Sequence, residues 1–150
     1  MKILSAILAL FAASASEVSL VASPLFKLEV GKPDAFEAGY PDGRYSVVFE
    51  DDGDTGYLYA LAYSKKEENP IQEAMSIYEV KNVTDRARLS QIVLVWTADS
   101  TRAALFINAY PHAVFDFARK RGFCRRDFPK PGKWGIDFKW DDSCIELLKK

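Results

Sequence analysis

The chain has 150 residues, close to half of them apolar and 27% charged, a composition that can bury a core and that a disordered tract would not have. Its 20 basic residues nearly cancel its 21 acidic ones, so it lacks the charge surplus that draws proteins to nucleic acid or to anionic membrane surfaces.

Met1-Lys2 supplies one positive charge, residues 3–13 are apolar apart from Ser5, and Ala13-Ser14-Ala15 has the small-x-small form of a cleavage site. Residues 1–15 therefore read as a signal peptide, placing the mature protein in the periplasm or outside the cell. The run is too short for a stable membrane anchor. The alternative is a buried first helix or strand of a cytoplasmic domain.

Residues 16–24 read as a poorly structured leader, and residues 25–150 as a single α+β domain. Leu25-Phe26-Lys27-Leu28-Glu29-Val30 alternates as a first strand. Residues 31–43, with Pro33, Pro41 and Asp42-Gly43, read as a loop. Residues 45–50 and 57–63 form a hairpin, with Tyr45, Val47 and Phe49 on one face of its first strand and Tyr57, Tyr59, Leu61 and Tyr63 on one face of its second. Both faces are largely apolar, which predicts a central place in a sheet.

Asn69-Pro70-Ile71-Gln72 has the form of a helix start, with Asn as cap, Pro in the first turn and Gln completing a capping box. Ile71, Ala74, Met75 and Tyr78 then fall at helical spacing. Residues 89–96 and 103–109 predict a second hairpin around Ala98-Asp99-Ser100-Thr101. Pro111 opens a second expected helix, with Arg119-Lys120-Arg121 in its last turn and Gly122 just past its end. Pro129-Lys130-Pro131-Gly132 is a loop, residues 134–140 an edge strand, and Asp141-Asp142-Ser143 caps a short terminal helix. The expected architecture is one antiparallel sheet of about four to six strands with two or three short helices packed on it.

The strongest chemical signal is the link between the strands of the first hairpin. Glu50, Asp51, Asp52 and Asp54 crowd four carboxylates around Gly53 and Gly56, and they repel one another unless a cation, a basic partner or solvent offsets them. The D-x-D-x-D-G order of a calcium loop and its late glutamate are absent, so no metal is expected. Cys124 and Cys144 admit one disulfide, worth about 3 kcal/mol for a loop of this length, or two reduced thiols. With the lone His112 they make no zinc set, and neither a nucleophile elbow nor a phosphate-binding loop occurs. No cofactor is expected.

Val48-Phe49-Glu50-Asp51-Asp52-Gly53-Asp54-Thr55-Gly56-Tyr57-Leu58-Tyr59-Ala60 is followed by Ile77-Tyr78-Glu79-Val80, Val95-Trp96, Ala113-Val114-Phe115-Asp116-Phe117 and Gly122-Phe123-Cys124-Arg125 with Phe128-Pro129. In order and spacing these blocks resemble a family of small bacterial proteins known as a domain of unknown function, over roughly residues 30–131. The resemblance implies a bacterial source and brings no activity.

Tyrosine, tryptophan and arginine dominate interface hot spots, because they bury much area while keeping a polar handle. The leading expectation is therefore a non-enzymatic module that binds a protein partner, with toxin-neutralising immunity as one concrete form. Its candidate residues are Glu50, Asp51, Asp52, Asp54, Tyr57, Tyr59, Trp96 and Arg125. A second reading is a small hydrolase or lyase using Glu50 or Asp52 with Tyr57 and Arg125, and a third is a purely structural domain whose acidic turn keeps the hairpin edge soluble. The basic residues Arg119-Lys120-Arg121 and Arg125-Arg126 either meet the acidic turn in space or leave the domain dipolar.

Overall fold

Both expected hairpins form, and each is the centre of a different sheet. The computed structural model describes residues 2–9, 19–40, 42–63, 69–126, 134 and 137–149. A short helix α1 (Lys2–Ala9) precedes eleven strands: β1 (Leu20–Ala22), β2 (Phe26–Leu28), β3 (Asp34–Gly39), β4 (Tyr45–Asp51), β5 (Thr55–Ala62), β6 (Ile71–Glu79), β7 (Ser90–Thr97), β8 (Arg102–Ile107), β9 (Tyr110–Asp116), β10 (Arg121–Cys124) and β11 (Asp137–Lys139). Two 3₁₀ segments, Val80–Asn82 and Asp142–Lys149, complete the described elements.

Strands β3-β4-β5-β6 form a four-stranded antiparallel sheet, and β1-β7-β8-β9-β10-β11, with β2 also on β7, form a seven-stranded one. Among the described strand pairs, the short β10–β11 pair alone is parallel. The expected single sheet carrying helices is thus corrected to a mostly β fold of two sheets. Val47, Phe49, Leu58, Ala60, Met75 and Ile77 of the small sheet meet Leu28, Ile92, Leu94, Trp96, Leu105 and Phe115 of the large one in a continuous core. The other face of the large sheet, with Val93, Val95, Ala104, Phe106 and Val114, is covered by Ile7 of α1 and Leu148 of the terminal 3₁₀ segment.

That two-sided cover explains one departure from expectation. Residues 113–117 are buried without a break, Ala113, Phe115 and Phe117 toward the small sheet and Val114 toward the outer cover. A continuous apolar run carries no period, so the helix expected after Pro111 is instead β9, a tight turn and β10, with Gly122 inside the last strand. The helix expected from Asn69 is β6. Asn69 does accept the Ile71 N–H (3.0 Å), but the turn it makes opens a strand, whose Glu73, Met75 and Ile77 point inward. The 31–43 segment, expected as a loop, contains β3, and the 16–24 segment, expected as a leader, contains β1, paired with β7. The 134–140 edge strand is present as β11 at the sheet's end, and the last helix is a 3₁₀ segment whose Ser143 N–H is accepted by Asp141 (2.7 Å). The loop at 129–132 and the cleavage motif at 13–15 lie outside the described residues.

Polar contacts fasten the sheets at the end where the β3–β4 and β7–β8 turns meet. Arg44 donates to the Ser100 hydroxyl (2.9 Å), which donates to Asp42 (2.9 Å), and the Tyr40 hydroxyl donates to the Ala98 carbonyl (2.6 Å). Inside the large sheet Asp116, almost fully buried, is paired with Arg102 (3.3 Å) and Arg119 (3.1 Å), which supply the charge and hydrogen bonds a buried carboxylate requires.

Candidate binding face

The four acids of the hairpin link have four different fates. Asp51 continues the inward alternation of Val47 and Phe49 and is 1% exposed. Its carboxylate accepts the Gly53 N–H (2.8 Å), the Gly31 N–H (2.9 Å) and the Tyr78 hydroxyl (2.7 Å), so it ties the hairpin link to the turn after β2 and to β6. Gly53 sits at φ +103°, where an L side chain is strained. The Tyr78 ring lies flat on Gly56, where a Cβ would come within 2.6 Å of the ring. Asp52 turns back on its own loop, accepting the Asp54 and Thr55 N–H groups (2.9 and 2.8 Å). Asp54 is exposed, and its carbonyl accepts the Val80 N–H (2.8 Å).

Glu50 points the other way, onto the outer face of the small sheet, opposite Tyr57 on β5. The Tyr59 hydroxyl donates to Glu50 (3.0 Å), and the Tyr57 and Tyr59 rings stack at 5.8 Å. Beside them Glu37 of β3 accepts the hydroxyls of Tyr63 (2.7 Å) and Ser46 (2.7 Å). The face thus gathers Glu50, Tyr57 and Tyr59 from the sequence candidates and adds Glu37 and Tyr63. Tyr63 was legible as a face-mate of Tyr57 and Tyr59 by strand alternation, whereas Glu37 lay in a segment read as loop. Both described covering elements, α1 and the terminal 3₁₀ segment, pack on the large sheet.

Burial, followed by the hydrogen bond to Glu50, pushes the Tyr59 phenol well above its ordinary value. For Tyr63 the bond to Glu37 acts first and burial second, in the same direction. Both phenols therefore stay protonated and hold the carboxylates as donors.

The other candidates lie elsewhere. Trp96 is in the core between the sheets, 2% exposed, with its indole N–H donated to the Ala38 carbonyl (3.0 Å). Arg125 is on the far edge of the large sheet, its guanidinium between the Tyr110 and Trp140 rings (4.4 and 4.7 Å) and its Nε–H donated to the Pro111 carbonyl (2.6 Å). The basic segment divides. Arg119 pairs with Asp116, while Arg126 pairs with Glu79 (2.9 Å), which lies opposite Thr55. Cys124 and Cys144 are separate buried thiols, Cys124 in the inter-sheet core and Cys144 in the terminal segment that covers the opposite face, so the candidate disulfide is not formed.

Several carboxylates are held below their ordinary range. Backbone N–H donation does this first for Asp42 (from Arg44) and Asp52 (from Thr55), the Ser143 hydroxyl for Asp141 and the Lys81 ammonium for Glu79. For Asp99 burial pushes upward, and hydrogen bonds from Thr97 and Thr101 outweigh it. Burial also lowers His112. In each case the folded state binds protons less readily than the unfolded chain, so stability is full above the unfolded value and is lost as pH falls through the folded one. The midpoint of thermal unfolding should therefore decline from about pH 6.5, where His112 begins to contribute, and most steeply below about pH 4, where the carboxylates do. A midpoint unchanged between about pH 7 and pH 3 by circular dichroism contradicts this assignment.

The chain belongs to a bacterial family described as an uncharacterized protein conserved in bacteria (DUF2251), which matches residues 28–149. An uncharacterized protein of Haemophilus influenzae is 39% identical over 88 residues, 59% of this chain and 54% of that relative, so the match spans about half the relative's length. The resemblance to a bacterial family of unknown function is borne out. No solved structure matches the chain.

Proposed function

Proceeding from membership of a family without an assigned activity, we propose that this protein is a non-enzymatic protein-binding module whose contact surface is the outer face of the small sheet. The observation that carries this reading is the group of Tyr57, Tyr59 and Tyr63 with Glu37 and Glu50 on a sheet face that no described element covers. Half-exposed tyrosines on strands are rigid, bury much area at low entropic cost, and offer a hydroxyl at the rim. Tyr59, kept protonated, is a poor general base or nucleophile, whereas it is well suited to recognition.

The test is capture from the native host with wild-type, Tyr57→Ala and Arg125→Ala proteins of unchanged circular dichroism. Loss of a hot-spot tyrosine costs about 2 kcal/mol, roughly thirtyfold in affinity, so Tyr57→Ala should fail to hold a partner that wild type and Arg125→Ala retain. A partner kept by Tyr57→Ala and lost by Arg125→Ala moves the surface to the other edge.

We place the working protein outside the cytoplasm, on the strength of residues 1–15. Cleavage after Ala15 would remove Ile7, 1% exposed, from the outer cover of the large sheet, leaving that part of the apolar face to solvent or a partner. Mature protein beginning at Ser16 in the periplasmic fraction supports export; an intact Met1 in the cytoplasm overturns it.

A further inference from the structure

We infer that the partner of the tyrosine face is a basic protein surface, whose arginine or lysine side chains are received by Glu37 and Glu50; this rests on the binding reading above. Register puts Glu37 opposite Val48 and Glu50 two residues further along β4 on the same face. The two residues are thus diagonal neighbours across the β3–β4 pair, with Cα atoms roughly 7–8 Å apart. Each is oriented by a phenol, Glu37 Oε1 by Tyr63 and Glu50 Oε2 by Tyr59. Among the described residues neither has a cation within ion-pair distance, although Glu29, Asp42, Glu79, Asp85, Asp116 and Glu146 all do.

Both negative charges stand on one face with three tyrosine rings, and a positive group from a partner would offset them. The second oxygen of each carboxylate has no hydrogen-bond partner among the described residues. A guanidinium can take such an oxygen in a charge-assisted bond and lay its plane on the neighbouring Tyr57 or Tyr59 ring, combining the two contacts that arginine makes and a hydrated small cation does not. A metal ion fits less well, since it needs several oxygens within roughly 2.0–2.6 Å and these carboxylates stand on separate strands. A protein occupant also matches the breadth of the face, which crosses β3, β4 and β5.

The experiment titrates the isotope-labelled full chain with a glycine-arginine repeat peptide, with the same peptide carrying neutral citrulline, and with spermidine, reading backbone amide shifts. The arginine peptide should move the amides of Glu37, Glu50, Tyr57 and Tyr59, the citrulline peptide should not, and Glu37→Gln/Glu50→Gln should weaken binding about tenfold or more. Raising the salt should weaken the wild-type complex and leave the residual binding of the double variant nearly unchanged. Shifts confined to the Asp52–Asp54 tip, equal binding of the citrulline peptide, or full affinity in the double variant each overturn the inference, and equal shifts with spermidine reassign the face to polyamines. A native partner lost by Tyr57→Ala but held by Glu37→Gln/Glu50→Gln refutes the basic partner while leaving the binding module standing.

Discussion

Asp51→Ala should lower the unfolding free energy by about 3–5 kcal/mol, a large share of the roughly 5–15 kcal/mol that holds a domain of this size together. The carboxylate is almost fully buried and accepts three hydrogen bonds, from Gly31, Gly53 and Tyr78. Alanine leaves two backbone N–H groups and a part-buried hydroxyl without their acceptor, and each orphaned group costs about 1–3 kcal/mol unless water enters. Tyr78→Phe removes one of the three bonds and should cost about 1 kcal/mol, because the ring stays packed on Gly56. Asp54→Asn, the residue directly after Gly53 but exposed, should be neutral within about 0.5 kcal/mol. Urea unfolding of the three variants followed by intrinsic fluorescence measures this order. Equal effects of Asp51→Ala and Asp54→Asn would mean that the link is one solvated acidic patch.

Three acids that look alike in sequence are therefore a buried tether, a loop cap and an exposed charge. Part of that was legible: extending the alternation of Val47 and Phe49 by one step turns Asp51 inward, and Asp-Gly marks the turn. The link to Gly31 was not, because it joins residues twenty apart through a turn that only tertiary packing brings near. Both hairpins and the central place of the first were readable for a related reason, since turn chemistry and alternation agree there. They disagree at β6, where buried Glu73 interrupts the apolar alternation and a bulge near Tyr57 turns Tyr78 onto the inner side beside Gly56. At β8–β9 the two-residue turn Asn108-Ala109 needs positive φ at both positions (52° and 64°), and alanine hides the signal that glycine would have given. Glu37, the part of the candidate face that sequence missed, follows from the same limit: the prolines and glycines around β3 read as loop, and only pairing with β4 makes it a strand.

Trp96→Ala should cost about 3–5 kcal/mol, and it separates packing from recognition most directly. Ile92, Leu94 and Trp96 alternate toward the small sheet along β7, and the indole stacks on Phe117 at 5.3 Å and meets Tyr40 edge-on at 6.1 Å. Its N–H reaches across to the Ala38 carbonyl of β3, so one side chain joins both sheets by area and by a hydrogen bond. Truncation opens a cavity there and removes that donor, a combination that neighbouring aromatics cannot collapse to fill. Trp96→Phe keeps much of the ring volume and loses the N–H, for about 1–2 kcal/mol, leaving a folded protein whose partner capture can be compared with wild type. Full capture by Trp96→Phe, with a urea midpoint below that of wild type, is the expected result, because the indole is 2% exposed and faces away from the tyrosine surface. A Trp96→Phe protein that unfolds at the wild-type midpoint but no longer captures its partner would instead put the indole in the interface, and the contact surface would then have to be sought between the sheets.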